Sequence, residues 1–563
     1  MKRKGLIFLI LILAITSVLL SLERVTAAQE LSNQPWIIGN IQDPQNQPVK
    51  DVNIYLYSDT DLSPISEAKT QLDGRFAIQA PELIPNQLSL KFDRPHFQHI
   101  DINLEMNDLS SLKSGNSIAL PTITLERDIT AAFWVAGIVF ILVLALIATG
   151  FLHNTMAAFA GASFLLAVSY LGRPITETLH IFEFSQAVSY IDWNVIFLIM
   201  GMMMVIAVVE NTGIFHWLAY FAYRISGGRM WILLPVLMLI TGIASALLDN
   251  VTTMLLMTPI TVQIALALNI SPLILLIPEV FASNVIGVST LIGTPTNILI
   301  GSFGEITFND FLTNLTPGVF LAFSGLIIYT WFTYRKELSE ATTGSPILLE
   351  KLEERGKITN PENLKKAGWI AAGMLLLFVF GEKIQLLPSV TALIGASALL
   401  IWIRPDVDEM IGAVDWTTLV FFMSLFIVVG SIQEVGLISL IASQIGLYIG
   451  DNLSLAMIVV TWFSALLSMV IANIPFTAAM LPVIAYLTQI IPGADSKVLF
   501  YCLSIGAAMG GNGSLIGASA NMITAGIAER AGYRITYIYF LKKGLPVLII
   551  TVSISLFWLF IRF

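Results

Sequence analysis

From Ile129 to the C-terminus the chain alternates apolar runs with short polar segments, and the runs are about as long as the roughly 20 residues one helix needs to cross a bilayer. The first set covers about 130–150, 154–171, 193–211, 231–268, 272–301 and 317–334. A second set covers about 367–381, 388–403, 416–434, 453–489, 497–528 and 543–561. With 563 residues, 56% hydrophobic, 12% charged and a mean hydropathy of +0.81, the chain holds more apolar sequence than one soluble core can use. The expected fold class is therefore a polytopic α-helical membrane protein whose first partner is the lipid bilayer. Much of the net charge of -9 sits in the first 130 residues and the loops, and it points to no nucleic-acid partner. The single cysteine, Cys502, lies in an apolar run and excludes an intramolecular disulfide framework and a cysteine metal site.

The two sets are repeats. DWNVIFLIMGMMMVIAVVENTGIF begins at Asp192 and DWTTLVFFMSLFIVVGSIQEVGLI at Asp415, an offset of 415 − 192 = 223. The same offset carries Ser245, Asn250 and Pro259 onto Ser468, Asn473 and Pro482, aligning SALLDNVTTMLLMTPI with SMVIANIPFTAAMLPV. With one inserted residue, LIGTPTN (Leu291 to Asn297) aligns with LIGASAN (Leu515 to Asn521). Three matched blocks in one order define a tandem repeat. The runs 231–268 and 453–489 are too long for one span and are interrupted at their middles, so each is a re-entrant hairpin or a pair of spans.

Basic residues set the orientation. The start MKRKG, the apolar LIFLILILAITSVLL and the small residues of VTAA have the layout of a secretory signal peptide, 1–28. If residues 29–127 lie outside and the first hairpin opens inside, the basic segments Arg224–Arg229 and Arg335–Lys366 fall inside. The first repeat then makes five crossings, or seven if the long runs are paired spans; either odd number inverts the second repeat. The resulting plan is an extracytoplasmic domain at 29–127, membrane repeats at 128–334 and 367–563, and a cytoplasmic linker at 335–366, in a multi-pass protein of the cell (inner) membrane. Inverted repeats with interrupted apolar segments are the pattern of a secondary transporter whose site lies near the midplane.

Within 29–127 the short runs WIIGNI, VNIYLY, RFAIQ and LSLKF, separated by turn signals, describe a small antiparallel β-sandwich. GNIQDPQNQPVKDVNIYLY followed by TQLDGRFAIQA resembles the carboxypeptidase regulatory-like domain, an accessory module that braces or binds. His96 and His99 read as surface residues and not as a metal pair.

SALLDNVTTMLLMTPI followed by PEVFASNVIGVSTLIGTPTNILIGS resembles the ion-transporter superfamily, in the branch of arsenite permeases, NhaD-type sodium/proton antiporters and the melanosomal P protein. That resemblance implies a scaffold with two transport subdomains, each holding a re-entrant hairpin and a broken helix, often in a homodimer moving by an elevator-like shift. More distantly the chain is similar to sodium-coupled dicarboxylate (citrate-transporter-like) symporters, whose hairpin tips read Ser-Asn-Thr. Here the tips read Asp249, Asn250, Val251 and Ala472, Asn473, Ile474. The asparagines match, while Val251 and Ile474 replace the carboxylate-binding threonines, which argues against succinate or citrate.

The candidate site follows from oxygen chemistry. Asn250 and Asn473 each offer an amide oxygen to a cation and an NH2 to an anion, and backbone at Gly293 and Gly517 can approach closely. Ser245 and Ser468 match positions that help hold sodium in the symporter relatives. Thr252, Thr294, Thr296 and Asn297, with Ser519 and Asn521, complete two half-sites of oxygen ligands suited to a hard cation. Sodium is thus expected at Ser245, Asn250 and Gly293 and at Ser468, Asn473 and Gly517. No other cofactor is expected, only sodium or a proton as coupling ion. No Lys, Arg or His occurs in 230–334 or 405–496, so Asp249 has no basic partner and is expected to bind the coupling cation. Glu279 is a second buried acid and a candidate proton relay to it, whereas Glu210 and Glu434 sit at run ends and read as interfacial.

No HExxH, GxSxG or P-loop occurs, so the chain does not read as an enzyme or an ATP-driven pump. The expectation is a cation-coupled secondary transporter of small ions, sodium/proton antiporter-like. The alternatives are a coupled permease for arsenite, sulfate or carboxylates and, remotely, a membrane sensor whose outer domain binds a ligand.

Overall fold

The computed structural model describes residues 34–44, 48–58, 63–227, 229–340, 354 and 356–563. The expected signal peptide lies outside them, as does the middle of the expected linker. The chain divides into two compact units, Met1–Asp128 and Ile129–Phe563.

The first unit is a small β structure. Strands β1 (Trp36–Gln42), β2 (Asn53–Ser58), β3 (Ser66–Lys69), β4 (Arg75–Gln79), β5 (Leu88–Asp93) and β6 (Ile100–Asn103) are followed by helix α1 (Met106–Lys113) and by short strands β7 (Ile118–Ala119) and β8 (Ile123–Thr124). Alternation in NIYLYS and LSLKFD turns Ile54, Leu56, Leu90 and Phe92 into a shared core with Ile37, Ile41, Phe76 and Ile78. One sheet runs β3-β2-β5-β6; in the other, β1 lies between β4 and β7, with β8 also paired to β1. Both β7 and β8 pair with β1 in parallel, so this sheet is mixed where the sequence suggested antiparallel strands throughout. His96 corrects a second expectation: it is buried at a positive φ of 65°, its carbonyl receiving the Asp128 N–H at 2.9 Å. His99 is exposed and pairs with Asp93 at 3.1 Å.

The second unit is helical. Its first repeat comprises α2 (Ala131–Thr149), α3 (Asn154–Gly172), α4 (Phe184–Ser189), α5 (Trp193–Glu210), α6 (Ile214–Ser226), α7 (Met230–Leu248), α8 (Asn250–Ala267), α9 (Leu273–Ile286), α10 (Pro295–Phe303), α11 (Phe308–Asn314) and α12 (Thr316–Glu340). The second comprises α13 (Pro361–Phe380), α14 (Pro388–Ile403), α15 (Val407–Gly412), α16 (Trp416–Glu434), α17 (Leu437–Ile449), α18 (Leu453–Val470), α19 (Asn473–Ile490), α20 (Val498–Gly510), α21 (Ser519–Arg530) and α22 (Tyr537–Arg562). Among the described residues, eleven helices are long and apolar enough to cross a bilayer. Helices extend into both ends of the expected linker, through Glu340 and from Pro361.

The repeated motifs have local causes. In both DW blocks the aspartate caps the helix that follows: Asp192 accepts from Asn194 N at 3.0 Å and Asp415 from Thr418 N at 3.1 Å. Each helix so capped, α5 or α16, is followed by a glycine with positive φ, Gly213 at 81° and Gly436 at 86°, where the chain reverses into the amphipathic arm α6 or α17.

Packing obeys the same symmetry. Helix α5 packs on α14 while α16 packs on α3; α7 packs on α9 while α18 packs on α20; α8 packs on α21 while α19 packs on α10. Each hairpin, α7–α8 or α18–α19, thus lies along the broken helix of its own repeat and reaches the far half of the other repeat's broken helix. Glu434 departs from the expected interfacial position: it is buried, and its carboxylate accepts from the Tyr190 hydroxyl.

Candidate ion and substrate site

Two interruptions per repeat build the site. The first hairpin turns at Asp249, between α7 and α8, and the second at Ile471 and Ala472, between α18 and α19. The long runs after them break at 287–294, a short 3₁₀ turn followed by extended backbone, and at the matching 511–518. Glycine is required at the close approach inside each break. A Cβ on Gly293 would lie 2.3 Å from the Gly287 carbonyl oxygen, and one on Gly517 would lie 2.8 Å from that of Gly511.

Hydrogen bonds tie hairpin to break in matched fashion. Ser245 Oγ donates to the Ser283 carbonyl at 3.0 Å, and Ser468 Oγ donates to that of Ala507. Thr290 Oγ1 donates to the Ala246 carbonyl and Ser514 Oγ to that of Met469. Asn297 Nδ2 donates to the carbonyls of Val288 (3.0 Å) and Thr290 (2.8 Å), while Asn521 Nδ2 donates to those of Gly511 (2.8 Å) and Ser514 (2.9 Å). Two of the expected oxygen ligands therefore use their NH2 groups to hold the unwound backbone, the buried donors and acceptors there being costly to leave unpaired.

Their oxygens are used across the repeats. Asn297 Oδ1 accepts from Ser504 Oγ at 2.6 Å, and Asn521 Oδ1 accepts from Asn284 Nδ2 at 3.0 Å. Asn284 is the hub, donating also to Asn512 Oδ1 and accepting from Asn250 Nδ2, both at 2.9 Å. All these side chains are almost completely buried. The sequence reading did not select Asn284, Asn512 or Ser504. The repeat alignment pairs them with Ala508, Val288 and Val280, so symmetry drew attention away from the residues that join the halves.

The remaining expected residues lie at the edges of this network. Asn473 is buried at the first position of α19, and its side chain makes no hydrogen bond among the described residues. Thr294 caps α10, accepting from Asn297 N at 3.2 Å, and its hydroxyl meets that of Thr296 at 2.9 Å. Ser519 begins α21 and is half-buried. Asp249 is half-buried and caps α8: its carboxylate accepts from Thr252 N and Thr252 Oγ1, both at 2.8 Å. It does so at φ 117° and ψ 157°, a backbone region costing a non-glycine residue about 1–3 kcal/mol. Glu279 lies away from that tip, fully buried and bonded to Thr241.

Four helices, α8, α10, α19 and α21, begin at these breaks, so their N-terminal N–H groups and dipole ends border the site, as do the C-terminal carbonyls of α7, α9, α18 and α20. A cavity of 490 Å³ between α5, α10, α13 and α14 reaches Leu291 within the first break and Ile298 just after it; its polar lining includes Asn194, Glu305, Glu382 and Ser389. An apolar cleft of 370 Å³ separates α5 and α13 from α6 and the hairpin helix α7.

Residues 140–497 match the family model described as citrate transporter. The chain belongs to the citrate transporter family. Family relatives include an uncharacterized transporter of Mycobacterium bovis, 34% identical over 76% of this chain and 98% of its own length, and a 46 kDa membrane protein of Mycobacterium leprae, 33% identical over the same shares. The human P protein is 33% identical over 74% of this chain and 58% of its own length. This family member is thus a membrane transporter, consistent with the ion-transporter superfamily, and the paired hairpins and breaks are its conspicuous internal feature.

Proposed function

We propose that the chain is a cation-coupled secondary active transporter of small ions, with sodium or a proton as the coupling ion. The observation that carries this reading is the crossed asparagine network, in which Asn284 joins the first hairpin tip to both Asn512 and Asn521 of the opposite repeat. Unwound carbonyls and amide oxygens suit a desolvated cation, and a site shared between inverted repeats suits alternating access. The apolar cleft between α5 or α13 and the α6–α7 arm supplies a surface with almost no hydrogen bonds to break, as sliding of one part against the other requires. Sodium/proton exchange is the leading form, because no basic side chain occurs in 230–334 or 405–496 to neutralise an anionic cargo.

The second reading is a coupled permease for an inorganic or organic anion such as arsenite, sulfate or a carboxylate. Four helix N-termini bordering the breaks and the unbonded Asn473 amide favour it. In either form the first unit is extracytoplasmic, the protein sits in the cell membrane, and the scaffold helices pair in a homodimer. Flux into proteoliposomes under imposed sodium or pH gradients, with sodium, arsenite, sulfate and citrate as probes, decides between them. Gradient-driven accumulation of one probe is expected; stimulation by neither gradient contradicts the reading.

A further inference from the structure

One turn away from the first hairpin's serine, a buried carboxyl has half of its hydrogen bonding unfilled. On α7, Thr241 and Ser245 are four residues apart; on α9, so are Glu279 and Ser283. The two pairs face each other as rungs, with Thr241 Oγ1 donating to Glu279 Oε1 at 2.5 Å and Ser245 Oγ donating to the Ser283 carbonyl at 3.0 Å. Glu279, Thr241, Ser283 and Thr261 are each 0% exposed. Among the described residues Glu279 Oε2, Ser283 Oγ and Thr261 Oγ1 have no partner at hydrogen-bond geometry, although the Thr261 hydroxyl lies close enough to the carboxyl to interact with it.

A carboxylate in this place has no counter-ion among the described residues. Helices α7 and α8, which pack on α9, carry no titratable side chain within their bounds. On α12, Tyr334 lies under Lys543 of α22, whose ammonium is 4.8 Å from the Tyr334 ring centroid, and Tyr329 donates to the Lys543 carbonyl. On α20, Tyr501 receives the Asn314 amide and Cys502 is buried; on α21, Glu529 pairs with Arg534. None of these charges pairs with Glu279. An ionised acid would therefore be an isolated buried charge, which is strongly unfavourable. A proton on Oε2 removes the charge and gives that oxygen a donor, with the Thr261 hydroxyl beside the carboxyl as an available acceptor. The second repeat is an internal control: the position matching Glu279 is Leu503, and Ser464, which matches Thr241, is left with an unpartnered hydroxyl.

We propose that Glu279 is a proton-binding site of the transport cycle, one helical turn from Ser245 and separate from the Asp249 tip. This rests on the coupled-transport reading and adds a proton to it beside the ion of the half-sites: the proton is held while Glu279 is buried as it is here and leaves when α9 meets water. It also replaces the expected relay to Asp249, since the polar ladder from Glu279 leads to Ser283 and Ser245.

The test uses the full chain reconstituted in lipid vesicles and needs no knowledge of the cargo, so it remains decisive if every flux probe fails. Infrared difference spectra between about pH 5 and pH 9 read the carbonyl band of a protonated carboxyl. The wild type is expected to lose such a band as pH rises, and Glu279→Gln, an isosteric neutral side chain, is expected to lack it while keeping the same unfolding temperature. Dicyclohexylcarbodiimide, which modifies protonated carboxyls in apolar surroundings, gives a second readout: modification of Glu279 that declines with pH. A Glu279 band constant across the whole range makes the acid a fixed structural donor and overturns the proposal. So does a band that sodium removes at constant pH without any dependence on pH itself.

Discussion

The two hairpin tips have the same asparagine and different neighbours, and the difference has a local cause. At the first tip, DNVT, the third residue of α8 is Thr252, whose N–H has no partner within the helix and is accepted by Asp249 at 2.8 Å. At the second tip, ANIP, the residue at that place in α19 is Pro475, which has no N–H to satisfy. An aspartate stands where the donor exists, and Ala472 stands where it does not. The acid that looked unexplained as a charge is explained as a cap, and what the tips share, Asn250 and Asn473, is left as the conserved chemistry of the pair of repeats.

The largest effect is expected where one tip is wired to the opposite repeat. Asn284→Ala removes the partner of Asn250 Nδ2 and the donor to Asn512 and Asn521, at about 1–3 kcal/mol for each buried group left unpaired. Thermal unfolding should show a far larger loss than for Asn473→Ala, whose side chain holds nothing in place; equal losses would break the asymmetry. Next comes backbone crowding. Gly293→Ala puts a Cβ 2.3 Å from a carbonyl oxygen and Gly517→Ala puts one 2.8 Å away, so both destabilise, by about 1–3 kcal/mol or more, and the first should unfold at the lower temperature.

A double-mutant cycle sharpens the capping argument. Asp249→Ala is expected to cost about 0.5–2 kcal/mol, and that cost should shrink toward zero in a Thr252→Pro background that copies the second tip. Asp249→Asn separates cap from charge, because asparagine caps as well as aspartate: stability should hold and gradient-driven flux persist. Loss of coupling in a stable Asp249→Asn protein would return the coupling role to the acid.

The smallest effect concerns His180, between α3 and α4. Burial, and then the nearby Arg173, lower its pKa, against an opposing interaction with the Ser169 backbone. A histidine that resists protonation in the folded state leaves stability intact above its ordinary value of about 6.5 and withdraws it as pH falls through the lowered one. The unfolding temperature should drop in that acid window, and His180→Gln should flatten the drop.

Much of this architecture was legible in the chain. Apolar runs of bilayer length mark the long helices, and the 223-residue offset, with one inserted residue before the breaks, marks both hairpins and both breaks, because backbone that unwinds in a membrane demands the same small polar residues twice. The arms α6 and α17 escaped notice because each spans only 13 residues, shorter than a membrane run, and α6 intersperses polar side chains. Asn284, Asn512 and Ser504 escaped because the repeat alignment pairs them with Ala508, Val288 and Val280, so nothing marks them twice. Asp249 was visible as a charge, and Thr252, three residues later, carried the capping signal beside it.

The central claim is that a coupling ion is held by half-sites shared between the repeats. Its most direct test is gradient-driven flux in proteoliposomes for Asn250→Ala and Asn473→Ala beside the wild type, under separate sodium and proton gradients. The account predicts that the wild type accumulates its cargo against a gradient and that both variants, one from each tip, lose this accumulation. Accumulation retained in either variant, or wild-type flux indifferent to both gradients, would contradict it.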